Sequence, residues 1–116
     1  MAADDTGPIR DLETRDQATV VHLAGEIDLN QSPRLKLALS KLAESRPPKV
    51  IINLADVEYM DSSGVATLVD GFRRINSYRG RLVLAGMNQR VRSLFEITKL
   101  DQFFTIRPSV EEALQA

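Results

Sequence analysis

The run Val50-Ile51-Ile52-Asn53-Leu54 constrains this chain more than any other segment. It is short, almost wholly apolar and rich in β-branched residues, the pattern of a strand covered on both faces. Such strands belong to parallel sheets, whose neighbours must be joined by long crossovers, usually helices. The flanking sequence offers them. Ser32 reads as a cap and Pro33 as the first helical position of a helix whose stripe is Leu35, Ala38, Leu39 and Leu42. Pro47-Pro48 stops it. A second helix begins near Ser63, with Val65, Leu68, Val69, Phe72 and Ile75 on its apolar face and Gly80 at its exit. Arg81 to Gly86 is another buried strand, and Asn88 caps a third helix with the stripe Val91, Leu94, Phe95 and Thr98. Phe103 to Ile106 reads as a last short strand, and Pro108 opens a terminal helix through Leu114.

Ahead of these elements, Ile9 to Arg15 and Ala18 to Gly25 read as a hairpin across the short polar step Asp16-Gln17. Val21 and Leu23 alternate with Val20, His22 and Ala24, which predicts a strand covered mainly on one face. The expected fold is α/β, in the order β-β-α-β-α-β-α-β-α, with a mixed, mostly parallel sheet of four to five strands. It forms a single domain over residues 9–116 behind a flexible tail of residues 1–8.

Composition then removes most enzyme chemistry. The 116 residues contain no cysteine and one histidine, which excludes thiol nucleophiles, disulfides, cysteine-bound zinc and any site needing two imidazoles. Fifteen Lys+Arg stand against 16 Asp+Glu, a net charge of -1 without the basic excess of a nucleic-acid binder. The start of the chain lacks a basic and apolar leader, and no apolar run approaches the length of a membrane span. No cofactor, nucleic acid or membrane is expected, and the expected compartment is a reducing cytoplasm.

In parallel sheets, sites gather at the carboxyl ends of the strands. The ends here are Gly25 to Asp28, Ala55 to Gly64 and Gly86 to Asn88. The middle one closes on Asp61-Ser62-Ser63-Gly64 at the start of a helix. A serine there can accept a phosphate, whose roughly two negative charges a helix N-terminus tolerates. The same four residues are also ordinary helix-capping chemistry. A nucleophilic serine is a weaker alternative: the G-x-S-x-G elbow is missing and His22 is the sole imidazole. Asp28, Asp56, Glu58 and Asp61 could in principle gather around a divalent cation.

Gly25-Glu26-Ile27-Asp28, Val50 to Leu54 and Met60-Asp61-Ser62-Ser63-Gly64 together resemble the STAS domain of bacterial anti-sigma factor antagonists. Phe95-Glu96-Ile97-Thr98-Lys99-Leu100, Phe103 and Glu112-Ala113-Leu114 resemble that family's closing pattern, so the likeness runs over residues 9 to 115. It implies a switch rather than an enzyme. The unphosphorylated protein binds an anti-sigma factor that is itself a serine kinase and frees a sigma factor. Phosphorylation of a serine in the D-S-S-G motif ends that binding, and a serine phosphatase resets it. By motif position the acceptor is Ser63, with Ser62 the runner-up. Glu26, Asp28, Asp61, Ser62, Ser63 and Gly64 are the implied partner-binding residues, on a monomer or weak dimer. An accessory subunit of a lipid ABC transporter, binding its ATPase, is the alternative that STAS-like domains also offer. The chain departs from the family at Lys99, where glycine is common. Left-handed backbone there would cost lysine about 1 kcal/mol. Leu37 is expected to face away from its helix's buried stripe.

Overall fold

The computed structural model describes residues 7–116. Five strands and four helices follow one another as β1 (Ile9–Arg15), β2 (Ala18–Ile27), α1 (Ser32–Glu44), β3 (Lys49–Met60), α2 (Ser62–Asn76), β4 (Arg81–Ala85), α3 (Gln89–Ile97), β5 (Thr105–Arg107) and α4 (Val110–Leu114). This is the order read from the sequence. The strands lie side by side in chain order. β1 pairs antiparallel with β2, and every later pair is parallel. The tail expected over residues 1–8 falls mostly outside the described residues; at its end, the Pro8 carbonyl accepts the Ala24 amide at 3.0 Å.

The sheet divides the apolar residues into two cores. On one face Val21, Leu23, Ile52, Leu54 and Leu84 pack against Leu35 and Leu39 of α1, Leu68 and Ile75 of α2, and Val91 and Phe95 of α3. On the other, Ala18, Val20, Ile51, Val83 and Ala85 meet Val110 and Ala113 of α4. Val20 and Val21 are therefore both buried, and β2 is covered on two faces rather than mainly one. Its alternation is misleading because α4, the last helix in the chain, returns to cover the first half of the strand.

The central strands also run longer than their apolar runs. β2 continues past Gly25 to Ile27, and β3 past Leu54 to Met60. Their pairing shifts register between His22 and Ala24 and again between Gly25 and Glu26. Beyond Leu54 the buried residues of β3 recur every third position, at Val57 and Met60, so the period-two signal of a strand is lost. At the carboxyl end Ile27 stands opposite Met60, which brings Asp28 and Asp61 out together.

Smaller corrections have local causes. α2 starts at Ser62, one residue before the expected Ser63, because Asp61 takes the capping position. Ser109, not Pro108, precedes α4 and accepts the Glu112 amide, so the helix begins at Val110. β5 is displaced to Thr105–Arg107, since Phe103 and Phe104 are drawn into an aromatic cluster with Phe72. α3 ends in a Schellman turn: the Lys99 amide bonds Glu96 O and the Leu100 amide bonds Phe95 O. Lys99 has φ 64, so the left-handed backbone at the family's glycine position is kept here with a lysine. Leu37 is 57% exposed, as its place off the stripe predicts.

Candidate functional site

The site is assembled where β2 and β3 end and α1 and α2 begin. Asp61 is the N-cap of α2, and one carboxylate oxygen, Oδ1, organises the first turn. It accepts the Ser63 amide at 2.9 Å, the Gly64 amide at 3.2 Å and the Ser63 hydroxyl at 2.5 Å. The Ser63 hydroxyl is the main reason that the Asp61 carboxyl is held below the usual carboxylate range. The Gly64, Ser63 and Leu29 amides add to this, against desolvation. Asp61 is a fixed anion at the positive end of a helix dipole.

Gly64 is required by packing. A Cβ at this position would stand 2.6 Å from Met60 Cγ and 2.8 Å from the Ile27 carbonyl. The motif's glycine lets α2 settle directly onto the end of β2, which is how Ser62 and Ser63 come to lie beside the 26–32 segment. Gly64 itself is buried. Ser62 is exposed, whereas Ser63 is half-buried with its hydroxyl directed by Asp61.

The segment from β2 to α1 forms the facing wall. Asp28 accepts the amides of Asn30 at 3.0 Å and Gln31 at 3.1 Å, closing a tight Asx turn. Ser32 is not the N-cap the sequence suggested. Gln31 occupies that position without a side-chain cap, and Ser32 is already the first helical residue. Its hydroxyl points back to the Asp28 carbonyl at 2.8 Å and lies 3.0 Å from Ser63 Oγ. Glu26 is exposed and Asp28 half-buried. Leu29, 72% exposed at the crest of the turn, adds an apolar contact point.

The structure thus unites Asp28, Asp61, Ser62, Ser63 and Gly64, with Glu26 on the adjoining strand end. Two residues were missed by sequence reasoning. Leu29 carries no signal apart from being a leucine that follows the acidic Glu26-Ile27-Asp28 segment. Ser32 reads as a cap ahead of proline, and only the fold places it against a serine 31 positions away.

The weaker readings meet other partners. His22 bonds Glu13 at 2.6 Å and Asn53 at 2.9 Å, so the imidazole does not serve Ser63. Asp56 is paired with Arg10 at 3.2 Å. Among the described residues no three His, Asp or Glu side chains gather as a metal site, and no helix is long and apolar enough to cross a membrane.

The comparison with known families gives the decisive observation: the sequence model of the STAS domain matches residues 10–113. The chain belongs to the STAS domain family. It is 36% identical over 87 residues to the anti-sigma-B factor antagonist of Listeria monocytogenes, covering 75% of this chain and 76% of that one. It is 34% identical over 105 residues to the anti-sigma-B factor antagonist of Bacillus subtilis, covering 90% and 95%. The solved structure of the anti-sigma factor antagonist SpoIIAA in its unphosphorylated form superimposes with a TM-score of 0.78 at 25% identity, covering 90% of this chain and 92% of that one. The superposition on SpoIIAA runs over nine-tenths of both chains, so the likeness extends over most of the fold described above.

Proposed function

We propose that this STAS protein is an anti-sigma factor antagonist controlled by phosphorylation of Ser63. Unphosphorylated, it binds a serine-kinase anti-sigma factor in the cytoplasm through the surface formed by Glu26, Asp28, Leu29 and the start of α2, and so releases a sigma factor. Phosphorylation of Ser63 ends the interaction, and a serine phosphatase restores it. The protein is a binding module and performs no chemistry of its own.

The observation that carries this reading is the state of the Ser63 hydroxyl. It sits in the first turn of α2, oriented by a fixed carboxylate, at the rim of a surface that is acidic and partly apolar. In phosphoryl transfer from ATP, the Ser63 Oγ–P bond forms as the bond from the γ-phosphorus to the ADP oxygen breaks. The hydroxyl proton leaves to the kinase's base or to water. About two negative charges then stand beside Asp61 and within the same rim as Asp28 and Glu26. The helix N-terminus compensates part of that charge, so the fold persists. A partner that buries the rim must desolvate the phosphate and face the acids around it, at a cost of several kcal/mol. Relatives named as anti-sigma-B factor antagonists, and a structural neighbour described by its unphosphorylated form, support the assignment.

The test is phosphosite mapping after incubation with ATP and the organism's anti-sigma factor kinase. The expected product carries one phosphate on Ser63, retained in Ser62→Ala and lost in Ser63→Ala. Phosphate that persists in Ser63→Ala and disappears in Ser62→Ala would overturn the assignment.

A further inference from the structure

The contact between Ser32 and Ser63 has too few protons for the hydrogen bonds it implies. Each hydroxyl has one proton to donate. That of Ser63 goes to Asp61 Oδ1 at 2.5 Å, and that of Ser32 reaches the Asp28 carbonyl at 2.8 Å. The 3.0 Å approach of the two Oγ atoms is a third contact, and it becomes a hydrogen bond only if one proton leaves its present acceptor. Ser32 can make that change at small cost. The Asp28 carbonyl also accepts the amides of Gln31 at 3.1 Å and Ser32 at 2.9 Å, so it stays satisfied without the hydroxyl. Turning the Ser32 proton onto Ser63 Oγ creates a chain from Ser32 through Ser63 to the Asp61 carboxylate, in which each bond polarises the next.

Esterification decides the choice. Once Oγ–H is replaced by Oγ–P, Ser63 has no Oγ proton for Asp61, and as the dianion the modified side chain can only accept. Among the described residues, Ser32 is the other side chain within hydrogen-bond distance of Ser63 Oγ, and it is 5% exposed, so water competes poorly for its hydroxyl. We propose that Ser32 is a positioning residue for the modification site: it fixes Ser63 Oγ in the unmodified protein and donates its hydroxyl proton to phosphoserine 63 afterwards, leaving the Asp28 carbonyl to the two turn amides. The inference rests on Ser63 being the phosphoacceptor. It links the modification to the Asp28–Ser32 turn that carries the exposed Leu29.

The test needs no kinase. Phosphoserine is placed at position 63 of the full chain during translation, in the otherwise native sequence and with Ser32→Ala or Ser32→Thr. The second phosphate ionisation is then followed by phosphorus-31 NMR as a function of pH. A donated hydrogen bond favours the dianion, so Ser32→Ala should raise the midpoint by about 0.3–0.5 pH unit, a two- to threefold change in the acid constant. Ser32→Thr, which keeps the hydroxyl, should restore the native midpoint. Identical midpoints in the native and alanine proteins overturn the proposal. So does a threonine midpoint displaced as far as alanine's, because the effect is then one of packing. If the extra methyl of threonine prevents folding, Ser32→Cys replaces it: its weak donor should give an alanine-like midpoint, and a native-like one counts against the proposal. Should mapping place the natural phosphate on Ser62, the choice of acceptor fails while this titration still reports on Ser32 as a donor.

Discussion

Helices α2 and α3 both start at the end of a parallel strand, and both are capped by the residue just before them, yet the two caps are built from different chemistry. Asn88 caps α3 with a neutral amide. Its Oδ1 accepts the Val91 amide at 2.8 Å, and its Nδ2 is fastened to the Val57 carbonyl at 3.1 Å. Asp61 caps α2 with a charge and binds two amides and a hydroxyl on a single oxygen. The third helical residue differs as well: a buried valine, Val91, in α3 and Gly64 in α2. Asparagine and aspartate are about equally good caps. Helix initiation on this sheet therefore requires neither the carboxylate nor the serine hydroxyl at α2. What α2 has beyond α3 is an oriented hydroxyl, a fixed negative charge and a glycine that presses both against the 26–32 segment.

That contrast can be broken experimentally. The largest effect is expected at the glycine. Gly64→Val gives α2 the residue α3 tolerates, but its Cβ meets Met60 and the Ile27 carbonyl. Urea unfolding should show a loss of about 3 kcal/mol; a neutral result would mean that α2 is not held against β2 as described. The caps come next. Asp61→Ala and Asn88→Ala should each cost about 1–2 kcal/mol, while Asp61→Asn should cost no more than about 0.5 kcal/mol at neutral pH. If asparagine is as damaging as alanine, the carboxylate is part of the cap and the surplus disappears.

Acid dependence separates the caps more finely. The Asp61 carboxyl lies below its ordinary value in the folded protein. Its stabilising effect is therefore complete above the unfolded value near 3.8 and is lost as pH falls through the lower folded value. Urea midpoints measured from pH 5 down to 2 should fall more steeply for the native chain than for Asp61→Asn, and Asn88→Ala should keep the native slope. The smallest effect concerns the other end of α3. Lys99→Gly places glycine in the left-handed position of the Schellman turn and should stabilise by about 0.5–1 kcal/mol in thermal unfolding.

Much of this was legible in the sequence. The order of elements followed from apolar runs and helical stripes, because both cores are built from those residues. Leu37 stood where the pattern put it. The strand ends were harder. Residues 55–60 have a buried position every third residue because β2 and β3 slip register, and no periodicity template expects that. The second covering of β2 depends on a helix from the far end of the chain. Asp61, Ser62, Ser63 and Gly64 were visible as a motif, since four adjacent residues carry it. Ser32 was not, because its importance lies in a contact between separate helix starts.

The proposed switch depends most on one effect: a phosphate at Ser63 must abolish partner binding without unfolding the protein. Isothermal titration of the organism's anti-sigma factor kinase with the unmodified chain and with the chain carrying phosphoserine 63 measures it directly. A phosphorylation switch at Ser63 requires tight binding of the first, a loss of at least about a hundredfold in affinity for the second, as several kcal/mol requires, and matching amide NMR spectra away from residues 26–32 and 60–66. Equal affinities for a folded phosphorylated chain and the unmodified one would contradict it.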